Sequence, residues 1–197
     1  MKVLIASHNE GKIKELSRIL NACSVEAVTA DQLGISLSEP EETGNTFAEN
    51  ALIKAKAACL ESGIAAVADD SGLCVDALGG APGIYTARYA PAGSRKATLL
   101  KNLGDLPHEQ RTARFAAAIC CYLPSGDTIV ADGVCEGFIA FECRGESGFG
   151  YDPVFELPNG KTFAEISADE KDAVSHRGLA LKAFAARLND YVKTHKE

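Results

Sequence analysis

Apolar residues along the chain follow two patterns, short continuous runs and repeats at helical spacing. Continuous runs at residues 2–6, 24–29 and 65–68 predict buried strands. Apolar positions recur at spacings of three and four after the first run, and again over residues 46–62, so both segments predict helices. The first part of the chain is therefore predicted to alternate strand and helix.

The rest of the chain has the pattern of a hairpin followed by helices. The predicted elements are a helix at 94–103, strands at 111–123, 128–135 and 137–144, and helices that begin at Ser167 and Ser175. This order predicts an α/β fold with a mixed β-sheet and flanking helices. At 197 residues, we expect one domain, residues 1–197, with two lobes and an active-site cleft between them.

Two adjacent carboxylates follow the apolar run at residues 65–68. We expect the strand to end at Asp69 and Asp70, because Gly72 can turn the chain tightly. Two acids at a buried strand end need a cation to offset the cost of desolvation, either a basic side chain or a metal ion. Such an Asp suits Mg²⁺ binding and general-base chemistry. In the alternative interpretation, Asp69 caps a turn and Asp70 is solvated.

A polar loop joins the first strand to the first helix. Its N–H groups lie at a helix N-terminus, which favours phosphate binding, and Lys12 would add a positive charge. The glycine spacing is not that of a Walker A loop. An ordinary strand–helix junction remains the alternative. On the next helix, Lys54 shares a face with Asn50, and we expect it to be solvated unless that face lines the site.

Glycines and aromatic residues alternate over residues 145–153. This composition favours a loop that presents Phe149 and Tyr151 to a flat ligand, with a core-packing turn as the alternative. His176 and Arg177 stand in the first turn of the last helix, where the helix dipole disfavours cations. Their placement indicates a role other than helix stability.

Charge and composition narrow the classes of function. The formal charge of −7 argues against binding to a nucleic-acid backbone, but small phosphate ligands remain possible. No apolar run approaches the roughly 18 residues that span a bilayer, and no signal peptide is recognisable, so we expect a cytoplasmic protein that binds no membrane. Seven cysteines contain no C-x-x-C pair, which predicts reduced thiols, and packing is expected for Cys120 and Cys121.

The polar candidates fall into three chemical groups. Carboxylates that could hold a divalent cation are Glu41, Glu42, Asp69 and Asp70. Residues that could hold phosphates are Asn9, Lys12, Lys54, Ser71 and Lys171. Residues that could bind and read a base are Phe149, Tyr151, Asp152, His176 and Arg177.

Six motifs occur in order over nearly the whole chain. They are Ser7-x-Asn9-x-Gly11-Lys12, Glu41-Glu42-Thr43-Gly44-x-Thr46-Phe47-x-Glu49-Asn50-Ala51, Ala68-Asp69-Asp70-Ser71-Gly72-Leu73, Gly79-Gly80-Ala81-Pro82-Gly83-Ile84-Tyr85-x-Ala87-Arg88-Tyr89, Gly148-Phe149-Gly150-Tyr151-Asp152-Pro153 and Ser175-His176-Arg177-Gly178. With these motifs the chain resembles the inosine/xanthosine triphosphate pyrophosphatases. These enzymes hydrolyse deaminated purine nucleoside triphosphates to the monophosphate and pyrophosphate.

The resemblance implies a role for each matching residue. Glu41 and Asp70 would bind Mg²⁺, and Asp70 would also act on the attacking water as the catalytic residue. The triphosphate would be held by Ser7, His8, Asn9, Glu10, Gly11 and Lys12. Further substrate contacts and the base pocket would come from Ser71, Lys171, Phe149, Gly150, Tyr151, Asp152, His176 and Arg177. The family also implies an elongated sheet and a homodimer. His8 departs from the family pattern, in which a small residue or Asn is more common.

Two other functions remain open on the sequence. One is a pyrophosphatase for modified pyrimidine or methylated nucleotides, since related α/β folds host that chemistry. The other is a nucleotide-binding regulator without turnover, although four carboxylates near the ligand would give a mere phosphate binder little advantage.

Overall fold

The computed structural model describes residues 2–195. Its strands are β1 (Lys2–Ile5), β2 (Glu26–Val28), β3 (Ala66–Val75), β4 (Thr112–Tyr122), β5 (Thr128–Ile139) and β6 (Phe155–Glu156). Its helices are α1 (Glu10–Ala22), α2 (Ala30–Leu33), α3 (Phe47–Ser62), α4 (Arg95–Leu103), α5 (Ala168–Val174) and α6 (His176–Thr194). Among these residues, no helix combines the length and the apolar character needed to cross a bilayer.

One mixed sheet contains all six strands, in the order β2-β1-β3-β4-β5-β6. Strand β1 runs parallel to β2 and β3, whereas β5 and β6 are antiparallel. Strands β4 and β5 form the predicted hairpin, closed by a hydrogen bond from the Leu123 N–H to the Asp127 carbonyl (3.0 Å). The predicted α/β class, with a mixed sheet and flanking helices, is confirmed.

The chain divides into two compact units. Unit 1 comprises the chain up to Asp70, residues Ala117–Gly133 and the chain from Arg177 onward. Unit 2 comprises Ser71–Ala116 and Val134–His176. A single domain with a cleft between two lobes stays a prediction.

Unit 1 packs helices on both faces of its sheet, because successive side chains of a strand point to opposite faces. On β1, Val3 and Ile5 pack with apolar residues of α1 and α6, whereas Leu4 packs with α3. On β3, Val67 faces the α1 and α6 side, and Ala66 and Ala68 face α3. The helix predicted over residues 46–62 is α3, which begins after Thr46, whose hydroxyl accepts from the Glu49 N–H, and ends before Gly63.

Unit 2 has its own apolar core. Strand residues Leu73 and Val75 pack there with Leu99 of α4 and with the buried rings of Phe155 and Phe163. Phe115 of β4 lies against both of those rings, with centroid distances of 4.8 and 5.8 Å.

Two strand boundaries differ from the prediction. Strand β3 does not end at Asp69 and Asp70 but continues through Gly72 to Val75. Strand β5 extends to Ile139, so no separate strand occupies residues 137–144. The first difference changes the environment of both carboxylates, since they lie within a strand and not in a turn.

Candidate active site

Alternation along β3 sends Asp69 and Asp70 to opposite faces of the sheet in unit 1. Asp69 has the orientation of Val67 and faces α1 and α6, whereas Asp70 has that of Ala68 and faces α3. Both side chains are buried, with 0% and 9% of their surfaces exposed. The alternative of a turn cap and a solvated acid is therefore wrong.

Asp69 lies at the centre of a buried ionic cluster. Its Oδ2 accepts from Lys12 Nζ at 2.8 Å and from Arg177 Nη2 at 3.0 Å. Arg177 also donates from Nη1 to Glu15 Oε2 at 2.5 Å. Burial alone would raise the pKa of Asp69, but the charges of Arg177 and Lys12 hold that pKa far below its usual value. Asp69 is therefore a fixed anion that holds two cations in place.

The pKa values of the two cations move in opposite directions. Burial lowers the pKa of Lys12, and the nearby positive charges of Arg177 and Lys54 lower it further. Burial also works against the charge of Arg177, but Asp69 and Glu15 together raise its pKa. Lys12 is therefore the one of the two that a bound anion would help to keep protonated.

Asp70 belongs to a second cluster, on the α3 face. Lys54 Nζ donates to Asp70 Oδ1 at 2.7 Å and to Glu42 Oε1 at 2.9 Å. Burial raises the pKa of Asp70, and Lys54 limits the rise. Burial opposes the positive charge of Lys54, but the carboxylates of Asp70 and Glu42 raise its pKa. The expectation that Lys54 is solvated is wrong, because it bridges two carboxylates.

The donors around Asp70 suit a divalent cation. Asp70 Oδ2 is buried and has no hydrogen-bond partner within residues 2–195, so one lone-pair site remains for a ligand. Glu42 shares Lys54 with Asp70, and its neighbour Glu41 is exposed. In the described part of the chain, no three His, Cys, Asp or Glu side chains already form a metal-binding group. A cation here would rely on Asp70 and phosphate oxygens, a hard-oxygen set that Mg²⁺ accepts.

The loop that precedes α1 is organised by its own side chains. Asn9 caps α1, accepting from the Lys12 N–H at 3.1 Å, and Ser7 Oγ accepts from the Asn9 N–H at 3.2 Å. His8 is exposed, with Nε2 3.3 Å from the Leu37 carbonyl oxygen. Glu10 and Gly11 are the first two residues of α1. The exposed helix N-terminus suits a phosphate group.

The glycine-rich loop lies in unit 2 and is held by Asp152. One oxygen of this buried carboxylate, Oδ2, accepts from Lys171 Nζ and from the Phe149 N–H, both at 2.7 Å. Lys171 Nζ lies 5.0 Å from the centroid of the Phe149 ring and 5.5 Å from that of Phe163. The predicted residues Phe149, Asp152 and Lys171 thus form one cluster.

Tyr151 belongs to the core of unit 2. The residue is 3% exposed, its hydroxyl donates to the Thr86 carbonyl at 3.3 Å, and burial raises the pKa of Tyr151 to about 12. Phe149 is half-buried and is the aromatic ring better placed to stack on a base. Gly150 and Tyr151 also line a cavity of about 150 Å³ with Gly93, Arg95 and Lys96.

The neighbours His176 and Arg177 lie in different units. The His176 ring stacks on Phe115 in unit 2, with centroids 4.6 Å apart and planes inclined by 10°. Arg177 belongs to the ionic cluster of unit 1. Ser71, which follows Asp70 on β3, is half-buried.

Sequence reasoning missed Glu15 and Phe115. Glu15 lies one helical turn after Lys12 on α1, a spacing that could have indicated a shared face. No local pattern marks Phe115, because an aromatic residue in an apolar strand is ordinary.

Comparisons with known proteins agree with these motifs. The Ham1 family model matches residues 3–187. A dITP/XTP pyrophosphatase of Desulforamulus reducens is 47% identical, with 96% of each chain covered. One of Haemophilus influenzae is 45% identical, covering 95% of this chain and 98% of its own.

Solved structures also match the fold. A HAM1 protein from Coxiella burnetii superposes with a TM-score of 0.84 and 36% identity, covering 96% of this chain and 99% of its own. The Ham1 protein of Staphylococcus aureus gives 0.81 and 38%, covering 97% and 100%. The resemblance noted in the sequence is confirmed, and the chain belongs to the Ham1 family.

Proposed function

We propose that the protein hydrolyses deaminated purine nucleoside triphosphates (ITP, dITP and XTP), with Mg²⁺, to the nucleoside monophosphate and pyrophosphate, and so clears them from the nucleotide pool. Its relatives are named dITP/XTP pyrophosphatases. The observation that carries the proposal is Asp70, a buried carboxylate with raised pKa, one oxygen on Lys54 and one oxygen without a hydrogen-bond partner within residues 2–195.

Asp70 would orient and deprotonate the attacking water. A raised pKa makes this carboxylate a stronger base than an ordinary Asp, while Lys54 fixes its direction. Asp70 and Glu41 would hold a bound Mg²⁺, with Glu42 close by through the Lys54 that it shares with Asp70, and the ion would neutralise charge on the phosphate oxygens.

The leaving pyrophosphate needs positive charge around it. The N-terminus of α1, with Ser7, His8, Asn9, Glu10 and Gly11 before and within its first turn, would supply N–H donors. Lys12 would add its ammonium, which Asp69 Oδ2 holds at 2.8 Å.

Base selection would rest on the 6-oxo group and N1–H of the purine. Phe149 would stack on the base, and His176 or Arg177 would donate to O6. Adenine presents the opposite pattern, a 6-amino donor and a bare N1, so a donor facing it would leave both groups unpaired. Ser71, Lys171 and Asp152 would complete the substrate contacts.

A turnover panel tests the proposal. ITP, XTP, dITP, ATP, GTP, dUTP and modified pyrimidine triphosphates are each incubated with Mg²⁺, and the nucleotide product and pyrophosphate are measured. We expect monophosphate and pyrophosphate from ITP, dITP and XTP, and little from ATP. Preference for a pyrimidine would favour the alternative substrate class. Binding of ITP without pyrophosphate release, with or without Mg²⁺, would favour the regulator.

We also propose that the chain forms a homodimer, as its resemblance implies. Light scattering of the purified full chain should give twice the 20.7 kDa of one chain. A monomer at micromolar concentration would contradict this part of the proposal.

A further inference from the structure

Arg144 directly precedes the glycine-rich loop of residues 145–152, and both its backbone and its side chain fasten that loop. The Arg144 N–H donates to the Pro153 carbonyl at 2.9 Å, so the two ends of the loop are joined. The Arg144 carbonyl accepts from Thr162 Oγ1, also at 2.9 Å. These bonds close the loop at its base.

The guanidinium of Arg144 connects that base to three points of the following segment. Its Nη2 donates to Glu156 Oε2 on β6 at 2.6 Å and to the Gly160 carbonyl at 2.9 Å. Its Nε lies 3.6 Å from Glu165 Oε2. A planar guanidinium can serve several acceptors at once, whereas an ammonium on a flexible stem holds them less rigidly.

Glu156 is held in turn on its other oxygen. His108 Nε2 lies 2.8 Å from Glu156 Oε1, and the His108 ring stacks on Phe138 with centroids 4.6 Å apart. Glu156, which accepts from Arg144, is therefore held at both of its carboxylate oxygens. This defines the position of the Arg144 guanidinium.

The loop has little freedom apart from this base. Gly145 and Gly148 both have positive φ, and an added Cβ would collide with Ala164 at the first and with the Asp152 carboxylate at the second. The Ser147 N–H donates to the Ala164 carbonyl at 3.2 Å. The loop conformation is thus constrained from within, and the Arg144 side chain ties its base to the following segment.

We propose that Arg144 is a positioning residue for nucleobase binding: by closing the loop it presents Phe149 and Asp152 to the base. This inference rests on the proposed function, because it assigns the loop to base recognition. Within residues 2–195, the Arg144 side chain makes no hydrogen bond or ion pair with Phe149 or Asp152. It acts on them through the loop backbone. Loss of its side chain should weaken binding of the base while leaving the hydrolytic step intact.

Kinetics with ITP compare wild type, Arg144→Ala, Arg144→Lys and a control, Arg114→Ala. The control removes another half-exposed arginine of unit 2, which pairs with Asp76 at 3.0 Å. For Arg144→Ala we expect KM to rise about tenfold and kcat to change less than about threefold, the pattern of lost binding. Arg144→Lys should recover part of the KM change, and Arg114→Ala should match wild type. An unchanged KM in Arg144→Ala, or an equal rise in the control, would overturn the proposal.

Limited chymotrypsin digestion provides a readout independent of activity. Cleavage after Phe149 or Tyr151 should be several times faster in Arg144→Ala than in wild type and Arg114→Ala, with an unchanged melting temperature. Equal cleavage rates would overturn the positioning role. If wild type released no pyrophosphate from any triphosphate, the proposed function would fail, while the digestion would still report whether Arg144 fixes the loop.

Discussion

Asp69 and Asp70 are adjacent in sequence, yet they bind different cations on opposite faces of β3. Asp69 contacts Lys12 and Arg177, and Asp70 contacts Lys54. One acid has a strongly lowered pKa and the other a raised pKa. Two consecutive carboxylates thus have opposite pKa shifts, because each one meets a different set of charges.

Replacement of the two acids by Asn should therefore give opposite phenotypes. Asp69→Asn breaks a buried ionic cluster and should lower the free energy of unfolding by about 3–5 kcal/mol. Asp70→Asn should leave the melting temperature within a few degrees of wild type but lower kcat by about 10²–10⁴-fold. Thermal denaturation and ITP turnover measure the two effects. Near wild-type kcat in Asp70→Asn would refute the catalytic assignment.

The stability of the wild type should depend on pH through Asp69. Its pKa is lowered in the folded state, so its contribution is present above the unfolded pKa, about 3.9, and is lost as pH falls below it. The gap in unfolding free energy between wild type and Asp69→Asn should be largest at neutral pH and shrink under acid. Denaturant titrations at pH 7, 5 and 3.5 measure it, and a constant gap would contradict the ionic role.

Lys54→Met should move the acid limb of the pH profile. The positive charge of Lys54 lowers the pKa of Asp70 and so offsets part of the rise caused by burial. Without Lys54 that pKa should rise further, and Asp70 should become protonated at a higher pH. We expect the acid limb of kcat/KM to shift to higher pH, whatever the fall in rate. Lys56→Met, an exposed neighbour on α3, is the control. An unmoved limb would argue that Asp70 is not the titrating base.

Gly148→Ala should disturb the loop by collision as well as by backbone strain. Its φ is +76° and an added Cβ would meet the Asp152 carboxylate, which Lys171 also binds. Gly79→Ala is the matched control, since its φ is +64° and nothing lies within 4 Å of the new Cβ. We expect KM for ITP to rise about tenfold or more in Gly148→Ala and little in the control. Equal effects would mean that strain alone matters.

Thiol reactivity should follow burial. Burial raises the pKa of Cys120 to about 11, of Cys121 to about 12 and of Cys135 to about 11, whereas Cys143 is exposed. At pH 8 we expect iodoacetamide to modify Cys143 first and these three only after denaturation. Peptide mass mapping over time gives the order, and early labelling of Cys121 would contradict the buried placement.

The sequence was sufficient for most of the helices and strands, because apolar spacing and capping residues are local signals. Helix α3 begins after Thr46 and ends before Gly63, as the pattern indicated. The predicted end of β3 was wrong because Asp and Gly are poor strand residues. In the structure, ion pairs with Lys12 and Lys54 offset the cost of burying the two carboxylates within the strand. The partners of Asp69 lie 57 and 108 residues away, at Lys12 and Arg177. No local pattern reveals such pairings.

The same limit applies to His176 and Arg177. Their unfavourable position at a helix N-terminus indicated a role other than helix stability, but it could not tell that one stacks on Phe115 and the other binds Glu15. The prediction that Lys54 is solvated was wrong because most lysines lie at the surface. Its two carboxylate partners come from separate segments of the chain, which no local pattern shows.

The chain passes between units 1 and 2 four times, after Asp70, Ala116, Gly133 and His176. Neither unit therefore corresponds to one uninterrupted stretch of coding sequence. A single recombination event could not have exchanged one of them for a homologous piece, so we expect the two to share one ancestry. Splitting the gene at any one point would likewise yield no fragment that carries a whole unit without part of the other.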